Sequence, residues 1–165
     1  MDFHNTNKSD KCLKRKKAKR KMENLKVLIL DGDTFTGSEL GAILPESKSG
    51  ITFLHFHHIP DASCALSGQD IRFALVDPNI PGERTVDSGI RFLETYAKEY
   101  SSVGFFLHAR ERLDPALPER LRKLGVKGYI NRGTALAEDY LRAFGFSERK
   151  INEFLGDRNP VIYFE

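Results

Sequence analysis

Five short apolar runs, each followed by a segment with helical periodicity, constrain this chain more than anything else in its sequence. The runs are Lys26–Leu30, Ile51–Phe56, Ile71–Val76, Val103–Leu107 and Lys127–Ile130. The intervening segments are Thr34–Leu44, Asp61–Ser67, Asp87–Tyr100, Pro115–Leu124 and Thr134–Phe144. Near-continuous apolar strands that alternate with helices specify right-handed parallel crossovers and helices on both faces of one sheet. Local punctuation agrees: Pro45 stops the first helix and Gly125 the fourth. In Thr34–Leu44, Phe35, Leu40, Ile43 and Leu44 form the expected packing side. The fold class is therefore α/β, a flavodoxin-like, doubly wound, five-stranded parallel sheet of order 2-1-3-4-5.

In that order the C-terminal ends of strands one, three, four and five open on one cleft, where open α/β sheets carry their sites. The sequence delivers Asp31 and Asp33, Asp77, His108 and Arg132 to those ends. Asp77 closes the run Ile71–Val76 and is followed at once by Pro78-Asn79-Ile80-Pro81-Gly82. A carboxylate so placed can act as a nucleophile, hold a metal or cap the next turn.

Charge divides the chain. Residues 1–24 hold nine basic and three acidic side chains, whereas the whole chain is +3, so residues 25–165 carry −3. The stretch 1–24 is polar, short of aromatics and without core-forming periodicity, and is expected to be a disordered basic tail. Lys11–Lys21 suits non-specific contact with nucleic acid or an anionic surface. No aromatics interleave these charges to stack on bases, which argues against a sequence-specific RNA reader. Cys12 and Cys64 lack ligand spacing and point to a reducing compartment. No apolar run approaches the roughly 18 residues of a membrane span, and no apolar segment follows the basic N-terminus, so the expected location is cytoplasmic. The domain expected from the pattern is residues 25–146. Residues 147–165 follow it as an extension, a helix capped by Ser147 and ended by Gly156, then the β-prone strip Val161–Phe164. That strip suits folding back on the domain, pairing with a sheet edge, or a homodimer contact.

The acidic cluster Asp31-Gly32-Asp33, Asp77 with Pro81 and Gly82 behind it, His108-Ala109, and Leu124–Arg132 occur in order at strand ends. With these pieces the chain resembles the receiver domain of bacterial response regulators over about residues 25–146. The resemblance implies a two-component phosphorelay module whose partner is a histidine kinase or another signalling protein. It implies Asp77 as phosphoacceptor, Mg2+ held by Asp31, Asp33 and Asp77, and His108, Tyr129 and Arg132 as phosphoryl-contacting or switch residues. Three positions depart from the family pattern. Gly32 stands where the family has an acidic metal ligand, which weighs against Mg2+ because that ion needs rigid oxygen ligands. Arg132 replaces a lysine with a wide planar fork. His108 replaces a small hydroxyl residue. The expectation is an atypical or pseudo-receiver, not an enzyme, that acts by protein–protein contact, with Arg132 paired permanently to Asp77. A functional response regulator phosphorylated on Asp77 is the alternative.

Three rival motifs are weaker. Asp31-Gly32-Asp33 is similar to the first motif of haloacid-dehalogenase-type phosphatases, with Asp31 as nucleophile, but Phe35 stands where Thr or Val is wanted. Gly32–Ser38 has P-loop-like spacing without its lysine. His55, His57 and His58 offer two imidazoles on one strand face and no third metal ligand; they suit a polar edge strand instead.

Overall fold

The computed structural model describes residues 24–84 and 86–156. Its strands are β1 (Leu25–Leu30), β2 (Ile51–Phe56), β3 (Ile71–Val76), β4 (Gly104–Ala109) and β5 (Gly128–Asn131). Its helices are α1 (Thr36–Ile43), α2 (Ile59–Gly68), α3 (Ser88–Tyr96), α4 (Leu117–Lys123), α5 (Ala137–Ala143) and α6 (Glu148–Leu155), with a single helical turn at Glu46–Ser49. All strand pairs are parallel and the order is β2-β1-β3-β4-β5, as the alternating pattern requires.

Successive strand residues point to opposite faces, and the sheet buries two separate cores. Leu28, Leu30, Ala74, Val76, Phe105 and Leu107 pack with Ala62 and Leu66 of α2, Phe92 and Leu93 of α3, and Leu121 of α4. Val27, Ile29, Leu75, Phe106 and Ile130 pack with Leu40 of α1, Tyr140 and Leu141 of α5, and Ile151 of α6. Continuing the period of two past the strand ends puts Asp31, Asp77, His108 and Arg132 in phase with this second face. The site residues are thus the polar end of one apolar layer.

Some boundaries and faces differ from the sequence pattern. α1 begins at Thr36, and Phe35 and Ile43 are largely exposed (68% and 42%), while Leu40 and Leu44 are buried. Asp33 draws the chain into a turn by accepting the Phe35 amide proton, so Phe35 falls before the helix and off its packing side. β4 runs on to Ala109, so His108 lies within the strand. Ser147 caps α6 by accepting from the Lys150 amide, and Gly156 ends that helix at a φ of 73°. The basic tail, apart from Asn24, and the strip Val161–Phe164 lie outside the described residues, as does Cys12. No helix among those described is long and apolar enough to cross a membrane.

Candidate functional site

Backbone hydrogen bonds extend the ladders by one step at the C-terminal edge and fix the positions of three site residues. The Asp31 amide donates to the Phe56 carbonyl (3.1 Å), the Asp77 amide to Leu30 (2.9 Å) and the Arg132 amide to Ala109 (2.9 Å). Two imidazoles hold the Asp31 carbonyl as well, His55 Nε2 at 3.1 Å and His57 Nδ1 at 3.0 Å. A carbonyl only accepts, so each of these nitrogens carries its proton. The two rings, 4.3 Å apart, thereby brace the start of the β1–α1 loop. Among the described residues no group of three or more His, Cys, Asp or Glu is arranged to hold a metal ion.

Asp31 is enclosed and fully engaged. Its side chain is 4% exposed. Oδ1 accepts from the Asp33 amide (2.8 Å), and Oδ2 accepts from Thr36 Oγ1 (2.8 Å) and Arg132 Nη1 (3.0 Å). Arg132, 7% exposed, also pairs through Nη2 with Asp33 and, at 3.4 Å, with Glu39 Oε2. One guanidinium therefore serves three carboxylates from β1–α1 and α1. The Phe35 amide and Arg132 hold the Asp33 carboxyl below the usual carboxylate range.

Asp77 is arranged differently. Its Oδ1 accepts from the Asn79 amide at 2.7 Å, closing a turn, and no ion pair joins it to Arg132 among the described residues. This corrects the expected Arg132–Asp77 pairing. Two carboxylates on one loop outcompete a single one across the cleft for the planar fork, and the Asp77 carboxylate is turned toward its own following loop. Half-buried and without a bonded cation, Asp77 is pushed up to about 6, chiefly by desolvation. Asp77 and Arg132 nevertheless line one cavity of about 290 Å³, together with Asp33, Asn79, Ala109 and Arg110.

Pro81 decides what position 32 can hold. A Cβ placed on Gly32 would overlap Cδ and Cγ of the Pro81 ring, so the loop after β3 lies hard against a bare backbone. The same loop is pinned from the other side. The Ile80 amide donates to Ser88 Oγ (2.8 Å), and a Cβ on Gly89 would overlap the Asp77 carbonyl. Neither position accepts a side chain without moving backbone.

His108 is fully buried, and its Nε2 lies 2.8 Å from the Tyr140 hydroxyl. The ring is thus engaged with α5, and His108 is not among the residues lining the cavity. Tyr140 offers the imidazole a partner inside the core. Burial pushes His108 down to about 4 and Tyr140 up to about 12. Tyr129 is 36% exposed, and its hydroxyl donates to the carbonyls of Glu111 (2.7 Å) and Ala109 (3.3 Å), tethering the β4–α4 loop.

Sequence reading brought Asp31, Asp33, Asp77 and Arg132 to one end of the sheet. It missed Thr36, Glu39 and Tyr140. The available signal for Glu39 was its place in the first turn of α1, directly behind the acidic loop. Tyr140 reads only as one more core residue of an amphipathic helix.

No protein-family model matches the chain, and no curated protein matches it in sequence. Solved structures do resemble it. The RcsB response regulator of Salmonella typhimurium superposes with a TM-score of 0.61 at 18% identity, over 81% of this chain and 67% of that one. A response regulator from Thermotoga maritima gives 0.61 at 17% identity, over 73% and 98%. The chemotaxis protein CheY4 of Vibrio cholerae gives 0.59 at 16% identity, over 72% and 93%. These likenesses establish the receiver-like fold.

Proposed function

We propose that this chain is a receiver-like signalling module that works by protein–protein contact, without phosphotransfer and without enzymatic activity of its own. The observation that carries the reading is the commitment of Arg132 to Asp31 and Asp33, which leaves Asp77 desolvated and without a bonded cation. A phosphoryl group arriving on Asp77 brings further negative charge to a carboxylate that is already insufficiently compensated. Transfer to such a group depends on preorganised positive charge where that charge develops.

Mg2+ does not fit the donor set. The ion takes near-octahedral oxygen ligands at about 2.0–2.1 Å. Asp31 Oδ2 already accepts from Thr36 and Arg132, Oδ1 accepts from the Asp33 amide, and Asp33 is paired with the same guanidinium. The position where the family supplies a second acid is Gly32, closed by Pro81. Arg132 stands as a covalently attached cation among these carboxylates. The module's output is then set by a fixed surface, with Tyr129 holding the β4–α4 loop, and its partner is a histidine kinase or another signalling protein.

The alternative is a working response regulator, and one observation favours it: Asp77 and Arg132 share a cavity. A hydrolase using Asp31 as nucleophile is disfavoured, because that carboxylate is enclosed and fully engaged. Incubation of the full chain with Mg2+ and either acetyl phosphate or beryllofluoride, followed by intact-mass measurement and 19F NMR, separates the three. No adduct supports the contact module, an adduct located on Asp77 by peptide mapping replaces it with the working regulator, and one located on Asp31 replaces it with the hydrolase.

A further inference from the structure

Among the described residues, two buried side-chain nitrogens have no hydrogen-bond partner: His108 Nδ1 and Arg132 Nε. They are neighbours in the sheet. His108 pairs with Ile130 in the β4–β5 register, and the Arg132 amide bonds to the Ala109 carbonyl, one step further along the same ladder. Alternation puts both side chains in phase with the face covered by α5. The charges of Asp31 and, less strongly, Arg132 both act on the His108 imidazole, in opposite directions.

The protons decide what these nitrogens need. Arg132 Nε–H is a donor under all ordinary conditions. His108 is neutral, so its ring carries one proton, and the 2.8 Å contact with Tyr140 admits two assignments. If Nε2–H donates to the phenol oxygen, the hydroxyl proton of Tyr140, a residue 1% exposed, is left in the core without an acceptor. If Tyr140 O–H donates to Nε2, the ring proton sits on Nδ1 and that proton is satisfied wherever an acceptor lies. Without a further atom each assignment leaves two buried donors unmade, Arg132 Nε–H with either the Tyr140 hydroxyl or His108 Nδ1–H; one added acceptor clears both donors only in the second. That assignment gives two N–H groups, on Nδ1 and Nε, that call for one acceptor.

We propose that His108 Nδ1–H and Arg132 Nε–H together hold one buried neutral oxygen acceptor, a water molecule, between β4, β5 and α5. The acceptor is neutral because Asp31, Asp33 and Glu39 already outnumber the charges of Arg132 and of Arg110, which pairs with Glu39, so an anion would add to an excess of negative charge. A water oxygen accepts from two donors, and buried waters typically make two to four hydrogen bonds. Its presence closes a continuous polar chain: Asp33 and Asp31, Arg132, the water, His108, Tyr140. Arg132 is then held from the core side as well as from the carboxylate side, and α5 is tied to the site through its own tyrosine. This inference stands apart from the functional reading, since it concerns only proton placement in the core.

Side-chain 1H–15N NMR of the full, unmodified chain tests it directly. The expected spectrum shows His108 with a pyrrole-type, protonated Nδ1 and a pyridine-type Nε2. It also shows cross-peaks from that Nδ1–H and from Arg132 Nε–H to one slowly exchanging water. An Nε2-protonated ring overturns the proposal, and so does an Nδ1-protonated ring without the shared water. A crystal structure gives the second arm: an oxygen within about 3.2 Å of both nitrogens is expected, and an oxygen at only one of them, or side chains filling the gap, overturns it.

Discussion

Asp31 and Asp77 leave adjacent strands at the same edge of the sheet, yet their surroundings are opposite. Asp31 is nearly inaccessible and has a donor for each oxygen, a guanidinium among them. Asp77 is half-buried, accepts from a single backbone amide, and is raised to about 6 because burial strips solvent without supplying a cation. Burial alone therefore does not set the state of a carboxylate. The placement of the buried guanidinium matters as much, and here Arg132 has gone to the β1–α1 loop.

The contrast can be broken most severely at Arg132. Arg132→Ala strands the buried Asp31 carboxylate, and we expect a loss of about 3–5 kcal/mol in urea unfolding; a loss under 1 kcal/mol would show that the pair is not buried in solution. Thr36→Val removes one neutral donor to the same carboxylate and should cost about 2 kcal/mol, measured the same way, with the Arg132 pair intact. Asp77→Asn sharpens the other side. Asp77 takes up its proton on folding between the ordinary 3.8 and about 6, so its charge destabilises the native state above pH 6, and that penalty shrinks as pH falls through this range and is gone only below 3.8. The asparagine variant should be more stable than the parent at pH 8 by at most about 3 kcal/mol, reduced by solvent screening of the half-buried group, with the difference vanishing near pH 3. A difference that persists undiminished at pH 3 would assign the effect to packing instead of charge.

Much of this was legible in the residues. The five apolar runs and the helices between them call for a parallel, doubly wound sheet, and 2-1-3-4-5 is the common order for five such strands. The acids and the arginine fall at strand ends, so their gathering at one edge follows from topology. What did not follow was the pairing inside the cluster. Whether Arg132 reaches Asp77 or Asp31 depends on a choice among rotamers and on where Asn79 turns its amide, and neither leaves a periodic trace. His108 shows the same gap. Its place at the strand-four edge of the sheet was evident, but the strand runs on through it, and its partner is a hydroxyl on α5, thirty-two residues away in sequence and next to it in space.

The proline ring over Gly32 has a consequence for how this chain can change. Placing an acid at position 32 is a single substitution on paper, but its side chain meets the Pro81 ring first. The two positions are therefore coupled: a side chain at 32 becomes possible only after the backbone that carries Pro81 has been rerouted, so no one-residue change can add a carboxylate there.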